Sequence, residues 1–274
     1  MLHTNAYCDE HSRIRSMRGL QFLLIAATVA PLLLHGQSKI PDVTVPFVGC
    51  ESDGQVGPLD VPKGSDVPVP ISAAAARRLA YYKAGEDLGV LAPRGWHCFF
   101  VYGSSGTTLL VSPDPMDWTI WREYKDVTGP VVAIHHGYGA TGSGVTLAVA
   151  PLIARVFPAY AAFVAGVKKT FEFENFPSGP YKTDTLSYKN KSVVEYKTPA
   201  RTEGLGTSGR IRPGDNSISG VAMLSGKMPE PDSLVLSVRL SDKLKVLAPA
   251  IIQQLEREAA KLPTPPPPVS PPNR

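Results

Sequence analysis

The chain is poor in the residues that build metal and redox sites. It contains 3 cysteines and 6 histidines among 274 residues, and no C-x-x-C or H-x-x-x-H spacing groups them as zinc ligands. Only His97, His135 and His136 follow the N-terminal segment. The last two are consecutive on a predicted strand and should point to opposite faces, so they cannot easily share an ion. We therefore expect no metal and no other cofactor.

Charge is sparse as well. Charged residues make up 19% of the chain and the formal net charge is +4. Lysine and arginine form no dense cluster of the kind that marks a nucleic-acid footprint. We expect no nucleic-acid partner.

Long apolar runs are few, and the first of them predicts export. Gly19–Leu34 is uncharged, follows three arginines and ends at small and polar residues. A basic flank, a short apolar core and a cleavable end are typical of a secretory signal peptide, here residues 1–38. Met17 begins a compact signal by itself, so we hypothesise that it is the native start. An uncleaved N-terminal anchor is the alternative, and it is the only membrane attachment that we expect.

The second apolar run, Val145–Val167, is long enough to cross a membrane. Arg155 lies near its middle, and Pro151 and Pro158 interrupt it. These residues favour a buried helix, a break at Pro158 and a second short helix, with a membrane span as the alternative.

The two cysteines beyond the signal predict a disulfide. Cys50 and Cys98 are an even number of cysteines, and an exported protein folds in an oxidising compartment where cysteines pair. Closing a loop of about 50 residues should stabilise the fold by about 4 kcal/mol on the chain-entropy model. Two separate buried thiols are the alternative. Together with the signal peptide, the pair predicts a periplasmic or secreted protein sent out of a bacterial cytoplasm.

A β-hairpin organises the middle of the chain. The aromatic run Trp96–Tyr102 is followed by a loop with glycine at both ends, Gly103 and Gly106, and then by the β-prone run Thr107–Ser112. Both faces of the first strand are largely apolar, which predicts a central strand.

The other patterns predict an α+β fold with a mostly antiparallel mixed sheet and three or four packing helices. Residues 39–262 should form a single domain, with a second lobe from about residue 168 as an option, before a disordered proline-rich tail at 263–274. The predicted elements are an extended arm (Lys39–Pro70), helices at Ser72–Lys83, Val145–Phe157 and Asp242–Lys261, and strands at Val131–His136, Lys169–Phe173, Thr183–Tyr188, Ser192–Tyr196, Ser217–Leu224 and Ser233–Leu240.

A glycine-rich turn follows the strand that carries the two histidines. Gly137, Gly139 and Gly142 fit G-x-G-x-x-G between a strand and a helix. No acidic residue ends a second strand about 20 residues later and no run of βαβ units follows, so a dinucleotide site is not expected. We interpret the turn as one where glycine permits close packing. Binding of an anion or small ligand at Gly137–Gly144 is an alternative.

Catalysis would need a histidine beside a serine. Ser104 and Ser143 lie on glycine-flanked turns, and either His135 or His136 could serve as the base. No G-x-S-x-G elbow is present, and a single histidine more often has a structural role. A secreted hydrolase is therefore an alternative function. Our leading prediction is a non-catalytic exported protein that binds an unknown partner, such as a cell-envelope component.

Overall fold

Short β-prone runs between glycine and proline turns give a chain in which strands outnumber helices. The computed structural model describes residues 42–123, 125–172 and 176–262. The strands are β1 (Val43–Val45), β2 (Phe47–Gly49), β3 (Glu51–Gly54), β4 (Val67–Val69), β5 (Leu79–Lys83), β6 (Val90–Pro93), β7 (His97–Gly103), β8 (Gly106–Ser112), β9 (Val131–Gly137), β10 (Thr185–Asn190), β11 (Val193–Thr198), β12 (Ile218–Lys227) and β13 (Glu230–Arg239). The helices are α1 (Ala73–Ala76), α2 (Thr119–Arg122), α3 (Gly142–Gly144), α4 (Ala150–Val156), α5 (Ala161–Thr170) and α6 (Ala248–Ala259).

The main sheet has eight strands in the order β10-β11-β12-β13-β9-β8-β7-β3. Every neighbouring pair is antiparallel except β3 and β7. A three-stranded sheet, β2-β5-β6, and a two-stranded ribbon, β1-β4, complete the β structure. The α+β class and the mostly antiparallel mixed sheet are confirmed.

Each face of the main sheet has its own apolar core, as the period-two alternation of the strands requires. On one face, Ile134 and Leu236 belong to a cluster with the small sheet and Ile251 of α6. On the other face, Ala133 of β9 belongs to a cluster with Ile153 of α4 and with residues of α5. The sheet is thus covered on both sides, and successive residues of β9 enter different layers.

The predicted disulfide is present. Cys50 and Cys98 are bonded, with their Cα atoms 5.4 Å apart. Cys50 lies between β2, which belongs to the small sheet, and β3, which pairs with β7 at the edge of the main sheet. The bond therefore ties the junction between the two sheets to the hairpin strand.

The predicted helix Ser72–Lys83 is wrong beyond its first turn. Ser72 caps α1 by accepting a hydrogen bond from the backbone NH of Ala75, but α1 ends after Ala76. Leu79–Lys83 forms β5 instead, and its first four residues are buried. The alanine run favours a helix locally, but pairing with β2 and β6 buries two tyrosines on both faces of a strand, and tertiary packing overrides the weak local preference.

Two other expectations need correction. The strand predicted at Lys169–Phe173 does not form at its start, because α5 continues through Thr170 with Val164 and Val167 packed into the core at helical spacing. The hairpin strand β7 is not central: it lies beside the edge strand β3, whereas β13 and β9 occupy the middle of the sheet. The parallel pairing of β3 is a long-range contact that leaves no local pattern.

The second apolar run folds largely as expected. A π-helical segment, Val145–Val149, joins α3 to α4, and a 3-10 turn at Pro158–Tyr160 precedes α5. Within the described ranges no single helix is long and apolar enough to cross a membrane, and one pair, Gly142–Val156 with Pro158–Thr170, meets the length and composition test only together, bent by 119°. The predicted signal peptide, residues 1–38, and the proline-rich tail, 263–274, lie outside the described residues.

Candidate functional site

A cleft of about 550 Å³ opens on the helix-covered face of the main sheet. Thr108 of β8, His135 of β9 and Val235 of β13 lie side by side across its floor, because His135 is paired in register with both of the other residues. Leu152 and Arg155 of α4 line one side. The volume is typical of a small-molecule site, for which the common range is roughly 300–1,000 Å³.

His135 presents an imidazole nitrogen without a protein partner. Its Nδ1 lies 2.9 Å from the Thr108 hydroxyl. Its Nε2 is buried, and no donor or acceptor among the described residues bonds it. Burial lowers the pKa of His135 to about 4, so the ring is neutral at pH 7. An unsatisfied buried polar atom is unfavourable by about 1–3 kcal/mol, so its presence calls for an explanation.

Two more buried polar atoms of lining residues share this property, and Nε2 of His136 also lacks a hydrogen bond but lies 3.8 Å from Asp232 Oδ2. The indole Nε1 of Trp121 and the hydroxyl of Ser208 have no hydrogen-bond partner within the part of the chain that the structure describes. Both side chains line the same cleft as His135. Gly209, which follows Ser208, has φ +63°, and a Cβ there would lie 2.7 Å from Cε1 of His135. This close approach of the loop to the imidazole therefore depends on glycine.

Arg239 joins the two chain segments that follow Trp121 and Ser208. This arginine is 1% exposed, and its guanidinium donates to the carbonyl oxygens of Gly129 (2.7 Å), Arg212 (2.6 Å) and Val127 (2.7 Å). Burial lowers the pKa of Arg239 to about 10, which still leaves it charged at neutral pH. The outer wall of the cleft is thus fixed by one buried cation and three carbonyl groups.

The opposite wall combines a stacked cation with an apolar rim. The guanidinium of Arg155 lies 4.1 Å from the ring centroid of Tyr181 and donates to the carbonyl of Gly179 at 3.1 Å. Leu147, in the π-helical segment, also lines the cleft and is 68% exposed. Short π-helical segments are frequent at functional sites, where they displace side chains from regular helical positions.

His136 points to the other layer and belongs to an ionic cluster. Its Nδ1 is 2.9 Å from Asp87 Oδ1, and its Nε2 is 3.8 Å from Asp232 Oδ2. Thr107 donates its hydroxyl proton to the second oxygen of Asp87. Burial by itself would lower the pKa of His136, but the hydrogen bond and charge of Asp87, with Asp232, outweigh it and raise that pKa. Burial likewise opposes ionisation of Asp87, yet His136 and Thr107 hold the pKa of this carboxyl below its usual value.

The structure does not pair the turn serines with a histidine. Ser143 donates its hydroxyl proton to Ser104 Oγ at 3.3 Å, whereas the hydroxyl beside His135 is that of Thr108. A histidine, a serine and an aspartate therefore do not form a chain of hydrogen bonds among the contacts of these residues. The hydrolase prediction remains a prediction.

The glycine-rich turn is occupied by the protein itself. Asp232 accepts a hydrogen bond from the backbone NH of Gly139 at 2.8 Å, and the Thr141 hydroxyl accepts from Gly144 NH at 3.0 Å. At Gly137, a Cβ would lie 2.5 Å from Cβ of Ala148. Gly142 begins α3. These contacts agree with glycine permitting close packing. Binding of an external anion at this turn remains a prediction, and these bonds weigh against it.

Comparison with known proteins leaves the cleft as the main evidence for function. No protein-family model matches the chain, and no curated protein or solved structure gives a significant match. In addition, no three His, Cys, Asp or Glu side chains within the described ranges come together as metal ligands would.

Sequence reasoning found His135 but missed the residues around it. Thr108 and Val235 could not be placed beside it without knowing the strand order. Trp121, in the short helix α2, and Ser208, in a loop, are far apart in the chain. The available signal was compositional: a serine followed by glycine in a loop, where binding residues are concentrated.

Proposed function

We propose that this chain is a non-catalytic exported protein that binds a small molecule in the cleft beside His135. One observation carries the proposal: three side chains that line a single, largely apolar cleft each have a buried polar atom without a partner among the described residues. Binding sites for small molecules combine an apolar lining with a few polar groups that fix orientation. A ligand that bonded these atoms would remove the unfavourable energy of burying them unpaired.

The proposal includes export to the periplasm or the extracellular space. The Cys50–Cys98 bond is compatible with an oxidising compartment. The basic flank and apolar run that end at Leu34 support the same location.

Binding is favoured over catalysis by the chemistry of His135. A general base works best with a pKa near the operating pH, but burial lowers the pKa of this imidazole to about 4. The second nitrogen of a catalytic imidazole is normally held by a carboxylate. Here Nδ1 contacts the Thr108 hydroxyl and Nε2 has no partner among the described residues, so no carboxylate among them holds the ring.

The test is a fragment screen by ligand-observed NMR on the oxidised protein. Ser208→Trp should abolish binding by filling the cleft, since residue 208 has extended backbone angles that accept tryptophan. Val246→Trp places the same side chain at a position that is 70% exposed and outside the cleft, so it should bind like the wild type. Failure of the wild type to bind fragments, or equal binding by Ser208→Trp, would contradict the proposal.

One observation favours a second candidate, a hydrolase. The 2.9 Å distance between the Thr108 hydroxyl and His135 Nδ1 is that of a nucleophile and its base. Labelling with a fluorophosphonate probe tests this reaction and also the serine hydrolase predicted from the sequence. Labelling that is lost in a folded His135→Ala or His136→Ala variant would establish a hydrolase and identify its base.

A further inference from the structure

The unpartnered polar groups of the cleft and its arginine can all donate hydrogen bonds. The indole NH of Trp121 can only donate, and so can the guanidinium of Arg155. The hydroxyl of Ser208 can donate as well as accept. When the Thr108 hydroxyl donates to Nδ1 of His135, the ring proton lies on Nε2, which adds a fourth donor.

The charged side chains around the cleft also favour a ligand that accepts hydrogen bonds and is negatively charged. Its described lining contains Arg155 and also His136, which is paired with Asp87, but neither aspartate nor glutamate. Asp87 and Asp232 contact the lining residue His136, and Asp232 also bonds the glycine-rich turn, but neither carboxylate itself lines the cleft. A cationic ligand would therefore find no countercharge in the lining, whereas an anion would find one.

Much of the remaining lining is apolar. Leu152, Leu205 and Val235 are buried around the floor and walls, and the exposed Leu147 lies at the rim. A fully hydrophilic anion would leave these surfaces without contacts. Burying apolar ligand surface against them is favourable by roughly 25 cal/mol per Å².

We propose that the ligand is a carboxylate with an apolar body, whose carboxylate oxygens accept from Trp121, Ser208, His135 and Arg155. This inference rests on the proposed function and narrows it to one chemical class. A carboxylate has two oxygens with several acceptor sites, which suits convergent donors better than a single carbonyl group. The apolar body would lie along the leucine-lined wall toward Leu147.

The experiment compares three molecules of the same shape by isothermal titration calorimetry: 2-naphthoate, 2-naphthamide and 2-naphthylmethylammonium. With the wild-type oxidised protein we expect the carboxylate to bind about tenfold more tightly than the amide, because hydrogen bonds to a charged acceptor are stronger. The ammonium ion should bind most weakly. This comparison needs no variant, so folding defects do not affect it.

A pair of variants then tests whether Arg155 causes the preference for the carboxylate over the amide. Arg155→Met removes the charge but keeps a long apolar side chain beside Tyr181, and it should reduce carboxylate affinity about tenfold while changing amide affinity less than about twofold. Arg122→Met, at an exposed arginine outside the lining, should leave both affinities unchanged.

Equal affinities for acid and amide, or tighter binding of the ammonium ion, would overturn the carboxylate class while leaving a small-molecule site intact. The same conclusion would hold if fragments bound the cleft but none of the three naphthalene compounds did. If the wild type bound neither fragments nor these compounds, the proposed function would fail together with the ligand class.

Discussion

Replacement of Asp87 by asparagine should destabilise the protein in a pH-dependent manner. The substitution keeps the size of the side chain but removes the charge beside His136 Nδ1, which is 2.9 Å away. The two side chains are 13% and 16% exposed, so water screens the pair only weakly. The partner Asp232 is farther from the ring, at 3.8 Å, and cannot replace the lost bond.

The size of the effect follows from this partial burial. Exposed ion pairs contribute about 0–1 kcal/mol, and breaking a fully buried pair is unfavourable by about 3–5 kcal/mol. We expect Asp87→Asn to lower the free energy of unfolding by about 2 kcal/mol, the value typical of one hydrogen bond to a charged group. Asparagine can still accept the hydrogen bond from Thr107. The loss of stability should therefore stay below the roughly 3–5 kcal/mol expected for breaking a fully buried ion pair.

The pH dependence follows from the directions of the two pKa shifts. The raised pKa of His136 means that its contribution is fully present below about pH 6.5, the unfolded value, and is lost as pH rises through the folded value. The lowered pKa of Asp87 means that its contribution is present above about pH 3.8 and is lost as pH falls through its folded value. The difference between wild type and Asp87→Asn should therefore be largest between these limits.

Urea unfolding of both proteins at pH 5.5, 7 and 9 measures this difference. The free-energy gap should shrink between pH 5.5 and pH 9 as His136 loses its proton. Asp117→Asn, at a surface carboxylate that bonds only its own turn, should show no comparable gap. A gap that stays constant or grows toward pH 9 would refute the assignment of His136 as the charged partner.

Three other predictions follow from the structure. Reduction of Cys50–Cys98, which closes a separation of 48 residues, should lower the free energy of unfolding by about 4 kcal/mol, measured by urea unfolding with and without reductant; a change below about 1 kcal/mol would contradict this role. Arg239→Met should lower stability by about 3 kcal/mol and speed proteolysis of the cleft segments, since three carbonyl groups lose a donor, although Val127 keeps the backbone NH of Arg212. Arg201→Met, at a side chain that is 80% exposed, should do neither. Binding of 2-naphthoate should be independent of His135 ionisation from pH 6 to 8, because burial lowers the pKa of His135 to about 4; a fall in affinity that follows titration of this ring in that range would disprove its neutrality.

The parts of the fold with strong local signals were predictable from the sequence. The strand that carries His135 and His136 follows from its run of β-branched residues, and its alternation correctly sends the two rings to different layers. The disulfide follows from counting cysteines beyond the predicted signal. In each case neighbouring residues, or a simple count, contained the information.

The remaining features depend on long-range contacts. Nothing local shows that β13 inserts between β12 and β9, so the partners of His135 were out of reach. The alanine run before β5 predicts a helix, and only pairing with β2 and β6 makes residues 79–83 a strand. The cleft also depends on two segments that are distant in sequence and that Arg239 joins, one through Val127 and Gly129 and the other through Arg212.

The most direct test of the account is a long-range ¹H–¹⁵N NMR spectrum of the imidazole groups during titration with 2-naphthoate. The spectrum reports His97, His135 and His136 separately, and a neutral His135 has a pattern distinct from a protonated ring. We expect a neutral His135 whose Nε2 signal moves as the ligand binds, while the signal of the exposed His97, which lies outside the lining, stays in place. Binding that leaves His135 unchanged would contradict the claim that this cleft is the ligand site.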